Sequence, residues 1–377
     1  MRITMKRAST LLLSCLSVLL LVPALAAQQR AAARGSVPAA GLSAETRQKL
    51  IDSLNSAAAY LKLQQKPNGF WDANPGVSAV AAAALLRQTG VDQARRLENV
   101  GKALDSIAAM AKPDGGIYEN AIPHYITAVA IMALSAGGRP QDKPLIEKGR
   151  AYLADHLWDE GEGIPVTDKF YGGIGYGGSN PDRRADIISL EYALRAMKEA
   201  ELPANDAAWQ KAIVFLQRTQ NNSEVNRQEW AKNDGGFVYY PGFSYSSEGP
   251  TASYGSTTYA GVMSYVWANV KKDDDRVKAV LRWVRDNYTV DENPGMGQKT
   301  VYYYYMVFAK ALQAAGEPVI VDAKGRSHNW REDLGRKLLS LQHKEGYWVN
   351  SEDKAELQDN KVLVTAFTMQ AIEAALQ

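Results

Sequence analysis

Residues Tyr60–Trp71 read Y-L-K-L-Q-Q-K-P-N-G-F-W: the end of an amphipathic helix, a proline–glycine break, then an aromatic pair. Leu338–Trp348, L-L-S-L-Q-H-K-E-G-Y-W, repeats the plan near the other end of the chain. Between them come weaker echoes, Met110–Tyr118 (M-A-K-P-D-G-G-I-Y) and Phe215–Phe237, where F-L-Q-R-T-Q leads after an insertion to D-G-G-F. A unit that recurs in this way is the mark of a repeat architecture.

Working outward, the chain alternates two kinds of helical segment and shows no convincing strand pattern. The segments 43–66, 97–112, 144–157, 206–220, 274–288 and 330–343 are amphipathic. Each is followed by an apolar one: 77–88, 122–136, 186–197, 254–270, 300–315 and 361–376. Glycine-rich breaks separate the members of each pair, as at Gly115-Gly116, Gly172–Gly178 and Gly235-Gly236. An amphipathic helix needs one neighbouring layer, whereas an apolar helix needs neighbours all round. Two concentric rings satisfy both requirements, so the pattern predicts an all-α (α/α)6 toroid of about twelve helices, with an open solenoid as the competing array. In such a ring the inner-helix N-termini converge on one end of a central cavity, where unpaired N–H groups and positive dipole ends collect.

The 377 residues and 46% hydrophobic content suit one large core, and residues 43–377 are expected to form a single domain. A net charge of +2 with interspersed signs argues against nucleic acid. Arg2, Lys6 and Arg7, an apolar run Leu11–Val22, and Ala24-Leu25-Ala26 compose a secretory signal peptide with cleavage expected after Ala26. Residues 27–42 then read as a flexible tail. The expected location is periplasmic or extracellular, and no other apolar stretch is long enough to span a membrane. The single cysteine, Cys15, lies inside the signal, so the mature chain has no disulfide, thiol nucleophile or thiolate ligand.

The glutamine–glycine–aromatic–tryptophan pattern resembles the QW repeat of the squalene cyclase and protein prenyltransferase superfamily, whose members include prenyltransferase/squalene oxidase repeat proteins. Gln64, Gly69 and Trp71, and Gln342, Gly346 and Trp348, carry the resemblance. It implies the toroid fold and a structural role for these residues, with the glutamine and indole bracing neighbouring helices. The family's activities fit less well. Its cyclases protonate substrate from an aspartate-rich motif at an inner-helix start, whereas Asp273-Asp274-Asp275 begins an outer helix; its prenyltransferases hold zinc partly through cysteine, which the mature chain lacks.

Candidate chemistry sits at the inner-helix starts. Asp182, Arg183, Arg184 and Asp186 could present a carboxylate and guanidinium groups to the cavity, or simply cap and solvate a helix; Asp186 is the best general-acid candidate. His124, with Tyr125, could titrate or fill the core. The remaining histidines, His156, His328 and His343, fall on or near outer helices, so no three-histidine metal site is visible and no cofactor is expected. In Tyr254–Tyr259 the hydroxyls of Tyr254, Ser256 and Thr257 could bind a polar ligand or cap the helix. Of Tyr302–Tyr305, only one or two rings can face the cavity, because consecutive helical residues point in successive directions; Tyr302 and Tyr303 are the candidates for an aromatic wall suited to a carbocation, an isoprenoid or a stacked sugar. Phe170–Gly178 lacks the lysine and strand of a phosphate loop and reads as a mobile rim loop.

Together these readings lead to an exported monomer whose apolar, tyrosine-lined cavity takes a hydrophobic, isoprenoid-like ligand, for binding or for a cyclase-like reaction with Asp186 as acid. A glycan-active toroid such as a polysaccharide lyase, using His124 and Tyr254, is the alternative. A non-catalytic scaffold is the third.

Overall fold

The computed structural model describes residues 41–178 and 184–377. The signal peptide, Cys15, nearly all of the proposed tail, Asp182 and Arg183 lie outside the described residues. Among the described residues twelve α-helices follow in order: α1 Ala44–Gln64, α2 Pro75–Leu86, α3 Gln93–Ala108, α4 Pro123–Gly137, α5 Lys143–Asp155, α6 Ile187–Glu199, α7 Ala207–Thr219, α8 Gly255–Trp267, α9 Asp275–Asp286, α10 Val301–Ala314, α11 Trp330–Leu341 and α12 Lys361–Leu376.

The even-numbered helices pack side by side in sequence, and α12 packs back against α2. The ring is therefore closed, and the solenoid is excluded. Odd-numbered helices form the outer layer, and α11 meets α1 across the closure. The reason lies in the side chains. Every residue of α2 (P-G-V-S-A-V-A-A-A-A-L-L) is buried, and its alanines let neighbours approach on all sides. On α9, by contrast, Val277, Val280, Leu281 and Val284 are buried while the charged face looks outward. Each fully buried leucine or isoleucine contributes roughly 1.5–3 kcal/mol, so a helix apolar all round is stable only inside the ring. One small antiparallel pairing, β1 Ile320–Val321 with β2 Ser327–His328, was not legible as strand; Asp322, whose carboxylate accepts the Lys324 and Arg326 N–H groups, shapes its turn.

The repeat unit works as a brace, with one correction of register. The bracing glutamine of the first unit is Gln65, whose Nε2 donates to Gly69 O (2.9 Å) and to Asn99 O on α3 (3.2 Å). Gln64 is exposed. Gln342 does the same to Gly346 O (3.0 Å) and Ser53 O on α1 (3.1 Å), and Gln220 to Gly235 O and Arg276 O. The brace sits at the helix C-cap, just past the last helical residue, which is why the neighbour in sequence misses it. Trp71 and Trp348 each donate Nε1–H to a carbonyl ten residues back, Leu61 O and Leu338 O. Gly69 (φ 87°) and Gly346 (φ 92°) press against the next outer helix, where a Cβ would come within 2.6 Å of Ala103 N or 2.5 Å of Ser56 O. Only glycine fits both the positive φ and the contact.

Candidate functional site

The loops between outer and inner helices meet at one end of the ring and shape two neighbouring compartments. The first is a cavity of about 420 Å³ at the inner-helix N-termini, to which all six inner helices contribute. Val77, Tyr125, Tyr192, Tyr303 and Phe367 give it aromatic and aliphatic walls, and residues 355–358 close part of its rim. The second is a cleft of about 600 Å³ lined by polar and aromatic groups, including Asp114, His124, His156, Trp158, Glu162 and Arg184. Tyr176, Tyr239 and Tyr245 line both and form the wall between them.

This division corrects the single site expected from the sequence. Asp186, His124 and Arg184 line the cleft, whereas Tyr254, Ser256 and Tyr303 line the cavity. Thr257 does neither; its hydroxyl is buried against Phe237 O (2.8 Å) and Tyr254 O (3.0 Å). Ser256 is partly structural, since its N–H and hydroxyl meet the Asn293 side chain. Of the four consecutive tyrosines only Tyr303 faces the cavity. Tyr302 packs edge-on to Tyr305, and the Tyr304 and Tyr305 hydroxyls donate to Thr289 O and Val290 O. The glycine-rich Phe170–Gly178 segment is buried from Tyr171 to Ile174 and so is packed structure over its first half, not a rim.

Asp186 is the N-cap of α6 and is buried. Its Oδ1 accepts the Ser189 N–H and its Oδ2 the Ser189 hydroxyl, both at 2.8 Å. The adjacent N–H of Ile187 donates to Tyr239 O at 3.0 Å, which holds Tyr239 beside the carboxyl. Burial pushes the Asp186 carboxyl up to about 7, against the Ser189, Ile188 and Tyr239 hydrogen bonds that favour the charged form. A cap carboxyl would ordinarily be ionised near neutrality; this one is held available as an acid.

His124 donates through Nδ1 to Gly175 O, 2.9 Å away. Because a carbonyl only accepts, Nδ1 carries the proton and Nε2 is left as an acceptor in the neutral ring. Burial, reinforced by nearby His156, lowers His124 to about 4, with the Gly175 carbonyl pulling the other way. His156, one turn past Tyr152, repeats the arrangement with Nδ1 at Tyr152 O, and the two imidazoles lie 5.0 Å apart beside the Tyr152 ring. The pairing escaped the sequence because His156 belongs to an outer-helix end, yet the break after α5 brings it inward. Among the described residues no group of three or more His, Cys, Asp or Glu is placed to hold a metal ion. Arg184 reaches across the cleft to the Tyr240 hydroxyl at 2.9 Å.

The cavity mouth carries backbone strain. Ile122 (φ 42°) and Thr300 (φ 52°) precede α4 and α10 in the left-handed region, and both line the cavity. A β-branched residue there is a costly choice that the surroundings must enforce. Neither helix start has a side-chain cap of its own; His124 N–H donates instead to Tyr176 O and Tyr302 N–H to Gln358 Oε1. Neighbouring loops thus cap the helices and fix the walls.

No protein-family model and no curated protein sequence matches the chain. Solved structures do. The type II terpene cyclase MstE from Scytonema, a variant in complex with merosterolic acid A, aligns at a TM-score of 0.56 with 16% identity, covering 89% of this chain and 99% of that one. A protein from Actinoplanes aligns at 0.53 with 15% identity over 87% and 100% of the two chains. A glycosidase variant aligns at 0.50 with 14% identity over 89% and 99%. The chain has the all-α toroid fold of these proteins. At such identities the likeness is one of fold, and a fold hosts many functions.

Proposed function

We propose that the protein binds a hydrophobic, isoprenoid-like ligand in the tyrosine-lined cavity and protonates it from Asp186 in a cyclase-like reaction. The observation that carries this reading is a buried carboxyl, pushed up to about 7 by burial, in the cleft beside Tyr239, which also lines the aromatic cavity. The cavity volume falls within the range of small-molecule sites, and its tyrosine faces suit a carbocation. MstE, which shares the fold, has been captured with geranylgeranyl dihydroxybenzoate as substrate, which supports a ligand of that class.

Because Asp186 opens to the cleft and Tyr239 borders both compartments, the proton would pass through the shared wall. The Asp186 proton moves to the Tyr239 oxygen as the Tyr239 O–H proton moves to an alkene carbon. The π-electron pair forms the new C–H bond, and the positive charge left on the ligand faces the rings of Tyr125, Tyr192 and Tyr303. Native mass spectrometry with organic extraction of the protein from its own host tests the binding half, with a retained isoprenoid as the expected result. Incubating that ligand with the wild type and with Asp186→Asn tests the chemistry. Undiminished turnover by the variant would exclude Asp186 as the acid.

A second reading rests on the cleft, where Trp158, Tyr118 and Tyr152 surround carboxylates, two imidazoles and Arg184, a surface able to stack and hydrogen-bond a sugar. Depolymerisation of an acidic polysaccharide that is lost in His124→Ala and kept in Tyr254→Phe would favour it, since Tyr254 lies in the other compartment. Export through the N-terminal signal is also proposed; the intact mass of the mature protein should correspond to a chain beginning at Ala27.

A further inference from the structure

Beneath the cavity floor the inner helices change character. On α6, Ile188 and Tyr192 line the cavity, and Glu191, Arg195 and Glu199 follow at four-residue spacing on one face. On α10, Tyr303 lines the cavity and Lys310 lies two turns further on. On α12, Leu363 and Phe367 line it and Gln370 follows. The N-terminal halves of these helices thus build a greasy chamber, and their next turns supply a row of charges along the ring axis.

Glu191 is the anomaly in that row. It is completely buried, its Oε2 meets the Tyr303 hydroxyl at 3.4 Å, and its Oε1 has no hydrogen-bond partner among the described residues. An arginine stands one turn away, yet Arg195 directs Nε to Glu199 (3.0 Å) and a terminal nitrogen to Gln370 (2.8 Å). Arg87, at the end of α2, also pairs with Glu199 (2.5 Å). A structural carboxylate would be fully satisfied, because an unpaired buried one is costly. Here the cations serve Glu199 and leave Glu191 half-partnered. Burial pushes Glu191 up to about 7, against the charges of Arg195 and Lys310 and the Tyr303 hydrogen bond, so both of its protonation states are accessible near neutral pH. The row is not sealed: the Arg87 and Glu199 side chains are 25% and 27% exposed, and Lys310 is half-buried.

We infer that Tyr303 and Glu191 form the proton acceptor of the cavity. The inference rests on the isoprenoid reading of that cavity. A C–H next to a cationic carbon gives its proton to the Tyr303 oxygen while the Tyr303 O–H proton passes to Glu191 Oε2. The C–H electron pair becomes a C=C π-bond, the cation is neutralised, Tyr303 is regenerated, and the carboxylate becomes a carboxylic acid. That proton then leaves to water past Arg87 and Glu199. Protons enter at Asp186 on the loop side and exit on the opposite side of the ring, and the catalytic cycle closes without further reagents. The 3.4 Å contact is long for a made bond, as is common before a ligand tightens a site.

The test uses geranylgeranyl dihydroxybenzoate as probe and the full mature chain, with products separated by chromatography and mass spectrometry. Asp186→Asn should leave the probe unconverted. Glu191→Gln and Tyr303→Phe should convert it at least ~10-fold more slowly and shift products from alkenes to alcohols one water heavier, since an undeprotonated cation is captured by solvent. In parallel, carboxyl-¹³C-glutamate NMR should show a resonance, absent in Glu191→Gln, that titrates near neutral pH and moves further up in Tyr303→Phe. An active wild type with an unchanged alkene-to-alcohol ratio in Glu191→Gln overturns the acceptor and leaves the isoprenoid reading standing. A Glu191 resonance that titrates in the ordinary carboxylate range overturns it as well. A wild type as inert as Asp186→Asn overturns both together.

Discussion

The two compartments at the loop end share a wall and differ in almost everything else. The cavity takes residues from the first turns of all six inner helices, whose periodic apolar faces dictate its position, and loops complete its walls. The cleft is walled by loops and by the end of an outer helix: Asp114, His156, Trp158, Glu162 and Gly175–Gly178 all lie outside the inner ring. Repeat architecture therefore places the chamber, while the departures from the repeat finish its walls and provide the polar chemistry beside it. Asp186 belongs to both, as an inner-helix cap that opens to the cleft and touches the shared wall through Tyr239.

The sharpest way to break this comparison is at Asp186. Asparagine keeps an oxygen to accept the Ser189 N–H, so the α6 cap survives, and it removes the ionisable proton. Turnover of a cavity ligand should fall by about 10²–10⁴-fold while the melting temperature changes little. A large drop in melting temperature with turnover retained would reassign Asp186 to structure alone.

Stability against pH separates the compartments next. Asp186 and Glu191 have folded-state values raised to about 7 from ordinary values of 3.8 and 4.5. Each native carboxyl then holds its proton where the unfolded chain has released it. The resulting stabilisation is fully present below about pH 4 and is lost as pH rises through about 7, on the order of 4 kcal/mol for Asp186 and 3 kcal/mol for Glu191. His124 runs the other way. Its folded value is lowered from 6.5 to about 4, so its contribution is present above pH 6.5 and is lost as pH falls through 4, on the order of 2 kcal/mol after allowing for its partial exposure. Urea unfolding across pH 4 to 8 should show Asp186→Asn and Glu191→Gln each flattening the decline toward high pH, and His124→Gln flattening the decline toward low pH. Parallel curves for all variants would contradict the burial argument.

A smaller contrast lies within one helix turn. Tyr304 and Tyr303 are adjacent and both buried, but the Tyr304 hydroxyl donates to Thr289 O at 2.7 Å whereas Tyr303 makes only the 3.4 Å contact to Glu191. Tyr304→Phe should cost about 1 kcal/mol by leaving the partly buried Thr289 carbonyl short of a donor. Tyr303→Phe should cost less than that and should alter ligand chemistry instead. Denaturation midpoints and product analysis on the two variants measure both effects.

The tyrosine pair also shows what the sequence could and could not convey. Alternating amphipathic and apolar segments specify two rings, because burial on one side or on all sides is written in residue periodicity. Inner-helix starts were thereby legible as the place of the cavity. Which neighbour in a run faces inward was not, since one residue turns a helical side chain by about 100° and the ring's orientation comes from packing partners distant in sequence. Ser256 and Thr257, like Tyr303 and Tyr302, divide on that rotation. Tyr176, Tyr239 and Tyr245 come from aperiodic, glycine-rich loops that carry no facing signal. Glu191, Arg195 and Glu199 went unread, although charges at four-residue spacing on a helix expected to be buried can only face one another or a site.

The smallest prediction tests the brace. Gln65 and Gln64 are identical in chemistry and adjacent in sequence, so comparing them isolates position. Replacing Gln65 by alanine removes two hydrogen bonds and leaves the carbonyls of Gly69 and Asn99 without that donor, one in the loop and one on α3. The expected loss is about 1–2 kcal/mol, because both acceptors are only part-buried and water can reach them. Gln64→Ala, at an exposed helical position, should stay within about 0.5 kcal/mol, since alanine's helix propensity offsets a lost solvated side chain. Gln342→Ala should cost at least as much as Gln65→Ala, as its amide bridges the same two kinds of carbonyl at the ring closure and its Oε1 also accepts the buried Ser53 hydroxyl at 2.8 Å. If Gln64→Ala proved the costlier of the adjacent pair, the register of the whole repeat would shift by one residue, and the C-cap brace would no longer explain why the motif recurs.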